Sequence, residues 1–291
     1  MMDTDDCRAL EQVALEDFAA SQRARNLSPQ TIRTYRSILN TFAATVPLLE
    51  ATARDARMFM GRDGVTPGTR RVNRAVLIAF YRFAVDEGYC AINPAERLEP
   101  VRAPRNEPRP FTPQQIDAML NSGAYRRTRA MILLGYYQGF RVSQIAAVEG
   151  RHIDLRSGTI VTTGKGSKTR TLPLHPVIEE LAASMPEGFW FPARRGRPGH
   201  ISGNAVTGLI GKAIRRAGIT DPRLTAHSLR HSFGTDLVEQ GVDIRVVSEL
   251  MMHESLATTQ IYTRVSDRLK REGIVMLPPR PIPDRSFRRA A

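Results

Sequence analysis

Cysteine is almost missing from this chain of 291 residues, with Cys7 and Cys90 the only two. They form no CxxC pair, and no Cys/His cluster has the spacing of a zinc module. A disulfide framework and a structural metal are therefore excluded as the basis of the fold, and a reducing, cytoplasmic setting is expected. Lysine is the second scarcity. Lys165, Lys168, Lys212 and Lys270 are the only lysines among 42 basic residues. Each is therefore informative, and the first two stand three positions apart. Apolar runs are short as well. The longest, around residues 130–140, is about half of the ~20 residues that a membrane span requires. The acidic start MMDTDDC has no signal-peptide pattern, so no membrane partner is expected.

Positive charge is in excess. Lys and Arg outnumber Asp and Glu by 42 to 29, for a net charge of +13 and an isoelectric point near 10.6. Hydrophobic residues make up 42%, enough for a folded core rather than a disordered chain. A folded chain this basic has an anionic partner, most commonly nucleic acid. A basic ribosomal or membrane-surface protein is the plainer reading of charge alone.

Pro100, Pro104, Pro108, Pro110 and Pro113 crowd one short, charged stretch. Proline blocks helix and ladder pairing, so the stretch reads as an extended linker. The expected organisation is a helical domain over residues 1–99, a linker over 100–110, a second domain over 111–277 and an extended tail over 278–291. In the first domain, Ser28-Pro29 reads as an N-cap followed by proline at the first helical position. Ile32, Tyr35, Ile38, Leu39 and Phe42 follow at helical spacing. A second helix is expected from Thr69 to Glu87, with Val72, Val76, Phe80 and Phe83 as its apolar stripe and Gly88 as its stop. Arg33 and Arg36 lie beside one stripe, and Arg70, Arg71 and Arg74 beside the other. Such faces can grip a DNA backbone, with a merely solvated surface as the competing reading.

The second domain opens on a capping-box pattern at Thr112 and Gln115, followed by an apolar helix over about 128–138. The period then switches to two. Residues 152–155 and 159–162 read as a hairpin around Arg156-Ser157-Gly158, and residues 170–174 as a third strand beyond a Gly-Lys-Gly turn. Helices return with caps at Ser202, Thr225 and Asp243. The fold class is mainly α: an N-terminal helical bundle plus an α+β domain with one small antiparallel sheet.

Five segments of the second domain carry polar groups suited to chemistry. Arg141 stands at a helix junction in GFR, and Lys165 in the turn GKG. His227 and Arg230 share a helix face in HSLR, His253 follows a helix end, and Tyr262 stands in TTQIYTRV. Singly, each has a structural explanation: a surface arginine, a plain turn, a capping histidine, a packing tyrosine. Together and in this order, the segments YYQGFRVSQIAAV, TGKGSKTRTLPL, TAHSLRHSFGTDL and LMMHESLATTQIYTRV resemble the tyrosine recombinases, or phage integrases. That family's order is Arg, Lys, His-x-x-Arg, His or Trp, then Tyr. The resemblance spans the second domain and, more weakly, the N-terminal bundle, which is similar to the family's core-binding domain.

The resemblance implies a site-specific DNA recombinase, for integration and excision or for dimer resolution, working through a 3′-phosphotyrosine at Tyr262. Physical chemistry agrees with these assignments. A phosphodiester repels nucleophiles, and its transition state gathers charge on the non-bridging oxygens, which two planar guanidinium groups can clamp. Arg141 and Arg230 take that role, and His253 adds a hydrogen bond. Tyrosine, with a solution pKa of about 10, needs a base, for which His227 is the candidate. Lys165 supplies a proton to the leaving 5′-oxygen, with Lys168 in the same turn as its competitor and otherwise a candidate DNA contact. Bond energy is kept in the phosphotyrosine, so no cofactor or metal is expected. Double-stranded DNA with a specific core site, a homotetramer on paired sites and an accessory or directionality protein are the expected partners. An integrase of a phage or other mobile element is the first reading, and a Xer-type resolver of chromosome or plasmid dimers the second. A type IB topoisomerase and a DNA-binding protein without cleavage remain the alternatives.

Two positions depart from the family pattern. Gln144 stands where an acidic residue is usual, and Met252 where glycine usually precedes the third-motif histidine. An amide at 144 can hydrogen-bond but brings no charge, so altered rather than lost activity is expected. Residues 265–272 are expected to form a last helix, and the resemblance implies a C-terminal segment that docks on a neighbouring protomer.

Overall fold

The computed structural model describes residues 4–102, 109–164, 168–194 and 196–252. Lys165, His253, Tyr262, the expected helix over 265–272, the tail and most of the proline-rich stretch lie outside them. The chain divides into two compact units, Met1–Asn106 and Glu107–Ala291.

The first unit is helical: α1 (Thr4–Ala24), α2 (Pro29–Ala43), α3 (Ala53–Gly61) and α4 (Pro67–Asp86). The Ser28 hydroxyl accepts from the Thr31 amide at 3.1 Å, satisfying one of the donors a helix start leaves open. Helix α4 begins earlier than the apolar spacing suggests, because the Thr66 hydroxyl accepts from the Thr69 amide at 3.2 Å and Pro67 sets the first turn. Leu39, Phe42, Phe59, Val76, Leu77, Phe80 and Tyr81 meet in one core. Val72, expected on the apolar stripe, is 44% exposed, while Asn73 is buried in its place. The buried face of α4 is thus rotated by one residue near its start.

In the second unit, α5 (Pro113–Leu120), α6 (Arg126–Tyr137) and α7 (Val142–Ala146) precede a three-stranded sheet. Helices α8 (Pro176–Ala182), α9 (Gly203–Arg216), α10 (Ala226–Glu239) and α11 (Ile244–Leu250) follow it. Both halves of the Thr112–Gln115 capping box form. Strands β1 (Ile153–Asp154), β2 (Thr159–Thr163) and β3 (Thr169–Pro173) are antiparallel in the order β1-β2-β3. Ile160 pairs with Leu172, and both side chains are buried. The first strand is shorter than expected at both ends. Gly150–His152 form a 3-10 turn, and the Asp154 carboxylate accepts from the Arg156 amide at 2.8 Å and the Ser157 hydroxyl at 2.8 Å, folding the chain away from the ladder. A mainly helical protein with one small antiparallel sheet is the architecture expected from the sequence. Among the described residues, no helix is long and apolar enough to cross a membrane.

Candidate active site

Arg141 is placed by the junction of α6 and α7. Gly139, at φ +61°, turns the chain there. A Cβ on Gly139 would lie 2.4 Å from the Phe233 ring of α10, so only glycine allows this approach. The Arg141 amide then donates to Gln144 Oε1 at 3.0 Å. Gln144 is buried, and its Nε2 reaches Thr162 Oγ1 on β2 at 3.4 Å and Met252 Sδ at 3.4 Å. The position at which the family pattern has an acid therefore holds an amide that uses both ends: its oxygen caps Arg141, and its nitrogen faces groups a carboxylate would not serve as a donor.

Arg230, in the second turn of α10, is buried. Its Nη1 donates to the Gly139 carbonyl and its Nη2 to the Met251 carbonyl. Two of the five donors of a guanidinium thus join the α6–α7 junction to the end of α11. His227 lies one turn earlier on the same helix. It keeps solvent access, yet its imidazole is held below the ordinary range, first by the protein that displaces part of its hydration, then by the positive charges of Arg230 and Arg141. Burial and these two charges together favour the neutral imidazole at pH 7, the form that a general base requires.

His231, one turn beyond His227, was not singled out in the sequence, although helical spacing carried the signal. The two rings meet edge to face with centroids 4.7 Å apart. Burial, then His227 and Arg230, push the His231 imidazole down to about 4. An unfolded histidine titrates near 6.5, so between these values the unfolded chain binds a proton that the folded one refuses. Stability is full above the unfolded value and falls as pH falls toward the folded one. The thermal midpoint should therefore drop between pH 7 and pH 5, and His231→Gln should flatten that slope. An unchanged slope in the variant would remove His231 as its source.

Of the lysine turn, its two flanks are described. The Gly164 amide donates to the Lys168 carbonyl at 2.9 Å, the Thr163 and Thr169 hydroxyls pair at 3.1 Å, and Lys168 is exposed.

The five arginines named in the first unit fall into two groups. Arg33, Arg36 and Arg71 are exposed, and a concave patch on α2 is lined by Arg33, Arg36, Ser37, Asn40 and Thr41. Arg70 donates to the Arg62 carbonyl at 3.0 Å and Arg74 to the Leu98 carbonyl at 2.8 Å, so both help hold the unit's own backbone. Ser37, Asn40 and Thr41 were not anticipated. The sign available was that Ser37 and Asn40 each stand four residues after an arginine, Arg33 and Arg36, and so share its helix face.

Comparison with known proteins identifies the family. The phage integrase family model matches residues 110–268. Tyrosine recombinase XerA of Pyrococcus furiosus is 32% identical over 280 residues, 92% of this chain and 94% of that protein. The integrase of mycobacterium phage Brujita is 36% identical, covering 93% of this chain and 95% of that one, with a TM-score of 0.49. A lambda integrase dimer bound to a COC′ core site has a TM-score of 0.71 at 16% identity, covering 85% of this chain and 96% of that chain. The chain belongs to the phage integrase family and is a tyrosine-type site-specific DNA recombinase.

Proposed function

We propose that this recombinase cleaves one strand at a time through Tyr262, forming a 3′-phosphotyrosine and a free 5′-hydroxyl, and rejoins it to a partner strand. The observation that carries this reading is the convergence of His227 and Arg230, one turn apart on α10, with Arg141 at the start of α7, close enough that both arginine charges lower the His227 titration. Arg141 and Arg230 clamp the non-bridging oxygens, and His253 adds a hydrogen bond to them. His227 takes the phenolic proton, and Lys165 protonates the leaving oxygen, with Lys168 as the competing acid. Residues 1–99 act as the core-binding domain, joined by the proline-rich stretch 100–110 to a catalytic domain over 111–277. Arg33, Arg36 and Arg71 meet the DNA backbone through their exposed side chains, while Arg70 and Arg74 support the surface behind them. The working form is a cytoplasmic homotetramer on two paired duplex sites, assisted by an accessory or directionality protein.

Integration or excision of a mobile element is the first biological setting for this chemistry. Resolution of chromosome or plasmid dimers is the second, and it is favoured by relatives named XerA and XerC that match along nearly their whole length. The test is covalent capture on nicked suicide duplexes carrying randomised half-sites. An adduct enriched for one inverted core sequence is expected. Adducts with no sequence preference would instead support supercoil relaxation by a topoisomerase, and binding without any adduct would support a silent binder.

A further inference from the structure

Met252 follows the end of α11 with φ +49°, a left-handed conformation that favours glycine. A long side chain at such a position is expected to have a reason for being there. The Met252 side chain is buried and belongs to the core of the second unit. Its sulfur lies 3.4 Å from Gln144 Nε2. Its methyl carbon lies 3.0 Å from where a Cβ on Gly164 would stand, so it already fills the space above that residue. Gly164 is the first residue of the turn that closes on Lys168. Gln144 holds the Arg141 amide at 3.0 Å, and the carbonyl before Met252 accepts from Arg230.

We propose that Met252 is a positioning residue, a strut that sets the base of the β2–β3 turn against the Arg141–Gln144 corner and the end of α11. The proposal rests on the roles given above to Arg141, Arg230 and the turn lysine. A second tie between the same elements, the ion pair of Arg170 on β3 with Glu249 on α11, is exposed and so contributes little. The buried contact is the one that fixes the spacing. A thioether sulfur is a weak acceptor, so the strut works mainly by filling volume, for which an unbranched, adaptable methionine is suited.

The test compares full-length wild type with Met252→Gly and Met252→Leu. Adduct formation is followed on a saturated suicide duplex, beside DNA affinity, thermal midpoint and amide hydrogen exchange of residues 159–174. Glycine relaxes the backbone but removes the strut. Cleavage by Met252→Gly should fall roughly ten- to a hundredfold, the usual penalty for a reacting group displaced by about an ångström. DNA affinity should hold where the variant is folded, the thermal midpoint should fall because a buried side chain is removed, and the β2–β3 amides should exchange faster. Leucine should restore most of the rate and the protection. Wild-type cleavage by Met252→Gly, equal losses in both variants, or unchanged exchange over 159–174 would each overturn the strut. If the wild type formed no adduct, the catalytic roles would fall, while hydrogen exchange would still decide on Met252.

Discussion

With Tyr262 replaced by phenylalanine, the protein binds its DNA site as before and forms no covalent adduct. The substitution removes one oxygen and leaves ring, charge and packing volume nearly unchanged, so binding is not expected to move. Cleavage has no substitute nucleophile among the phenols best held in place. Tyr81 donates its hydroxyl to the Leu48 carbonyl at 2.7 Å and is buried. Tyr136 donates to the Asp236 carboxylate at 2.8 Å, and Tyr89 donates to Asp17. In each case the titration is pushed up, by burial first for Tyr81 and Tyr136 and by the Asp17 hydrogen bond for Tyr89. A phenol that donates to a carbonyl or carboxylate and resists ionisation is a poor nucleophile. The check is a denaturing gel of both proteins on the same suicide duplex. A retained adduct would move the assignment to another tyrosine, and mapping the cross-linked peptide would name it.

Arg230→Ala carries the second largest effect, and it acts on two quantities. The first is chemistry. Loss of one preorganised donor to a developing oxyanion costs about 10²–10³ in rate, and an arginine offers more than one such donor. The second is stability. The guanidinium is buried between the Gly139 and Met251 carbonyls, which lie 91 and 21 residues away in sequence. Alanine would leave both without this donor, at about 1–3 kcal/mol for each buried group left unsatisfied. The expected result is a lower thermal midpoint together with a cleavage loss of at least two orders of magnitude, read per folded molecule at saturating DNA. Arg230→Lys sharpens the reading. It keeps the charge but not the planar fork, so it should bind DNA and still cleave poorly. A folded, DNA-bound Arg230→Ala protein that cleaves near the wild-type rate would confine this residue to holding the backbone together.

The two buried bonds of Arg230 explain why its neighbourhood has so little freedom. The Gly139 carbonyl that it grips belongs to the turn that Phe233 admits only as glycine. The same turn presents Arg141, whose amide is held by Gln144. One buried cation thus fixes the spacing between the two guanidinium groups assigned to the phosphate, and the charge of both reaches His227.

The sequence by itself determined what is decided within a few residues. Ser28, Thr112, Ser202 and Asp243 cap their helices with bonds to amides two or three positions on. Such bonds need nothing beyond the local chain, which is why these starts were legible. The candidate site residues were legible for another reason: their types suit phosphodiester chemistry, and their order along the chain is the one that the resemblance to the tyrosine recombinases supplied. Tertiary structure decided the rest. Helices α1 and α3 were not read from the sequence, although α3 carries a local signal in the capping box of Thr52 and Asp55, and both are held in place where Phe18 and Phe59 complete a shared core. Val72 was displaced from that core by Asn73. Arg70 and Arg74 read as surface cations until backbone carbonyls eight and 24 residues away engaged them. Gln144 and Met252 read as two unrelated departures from a family pattern, yet they touch across 108 residues. Local hydrogen bonds are written in neighbouring letters, whereas which buried groups meet depends on how whole elements pack, and no short stretch of sequence contains that.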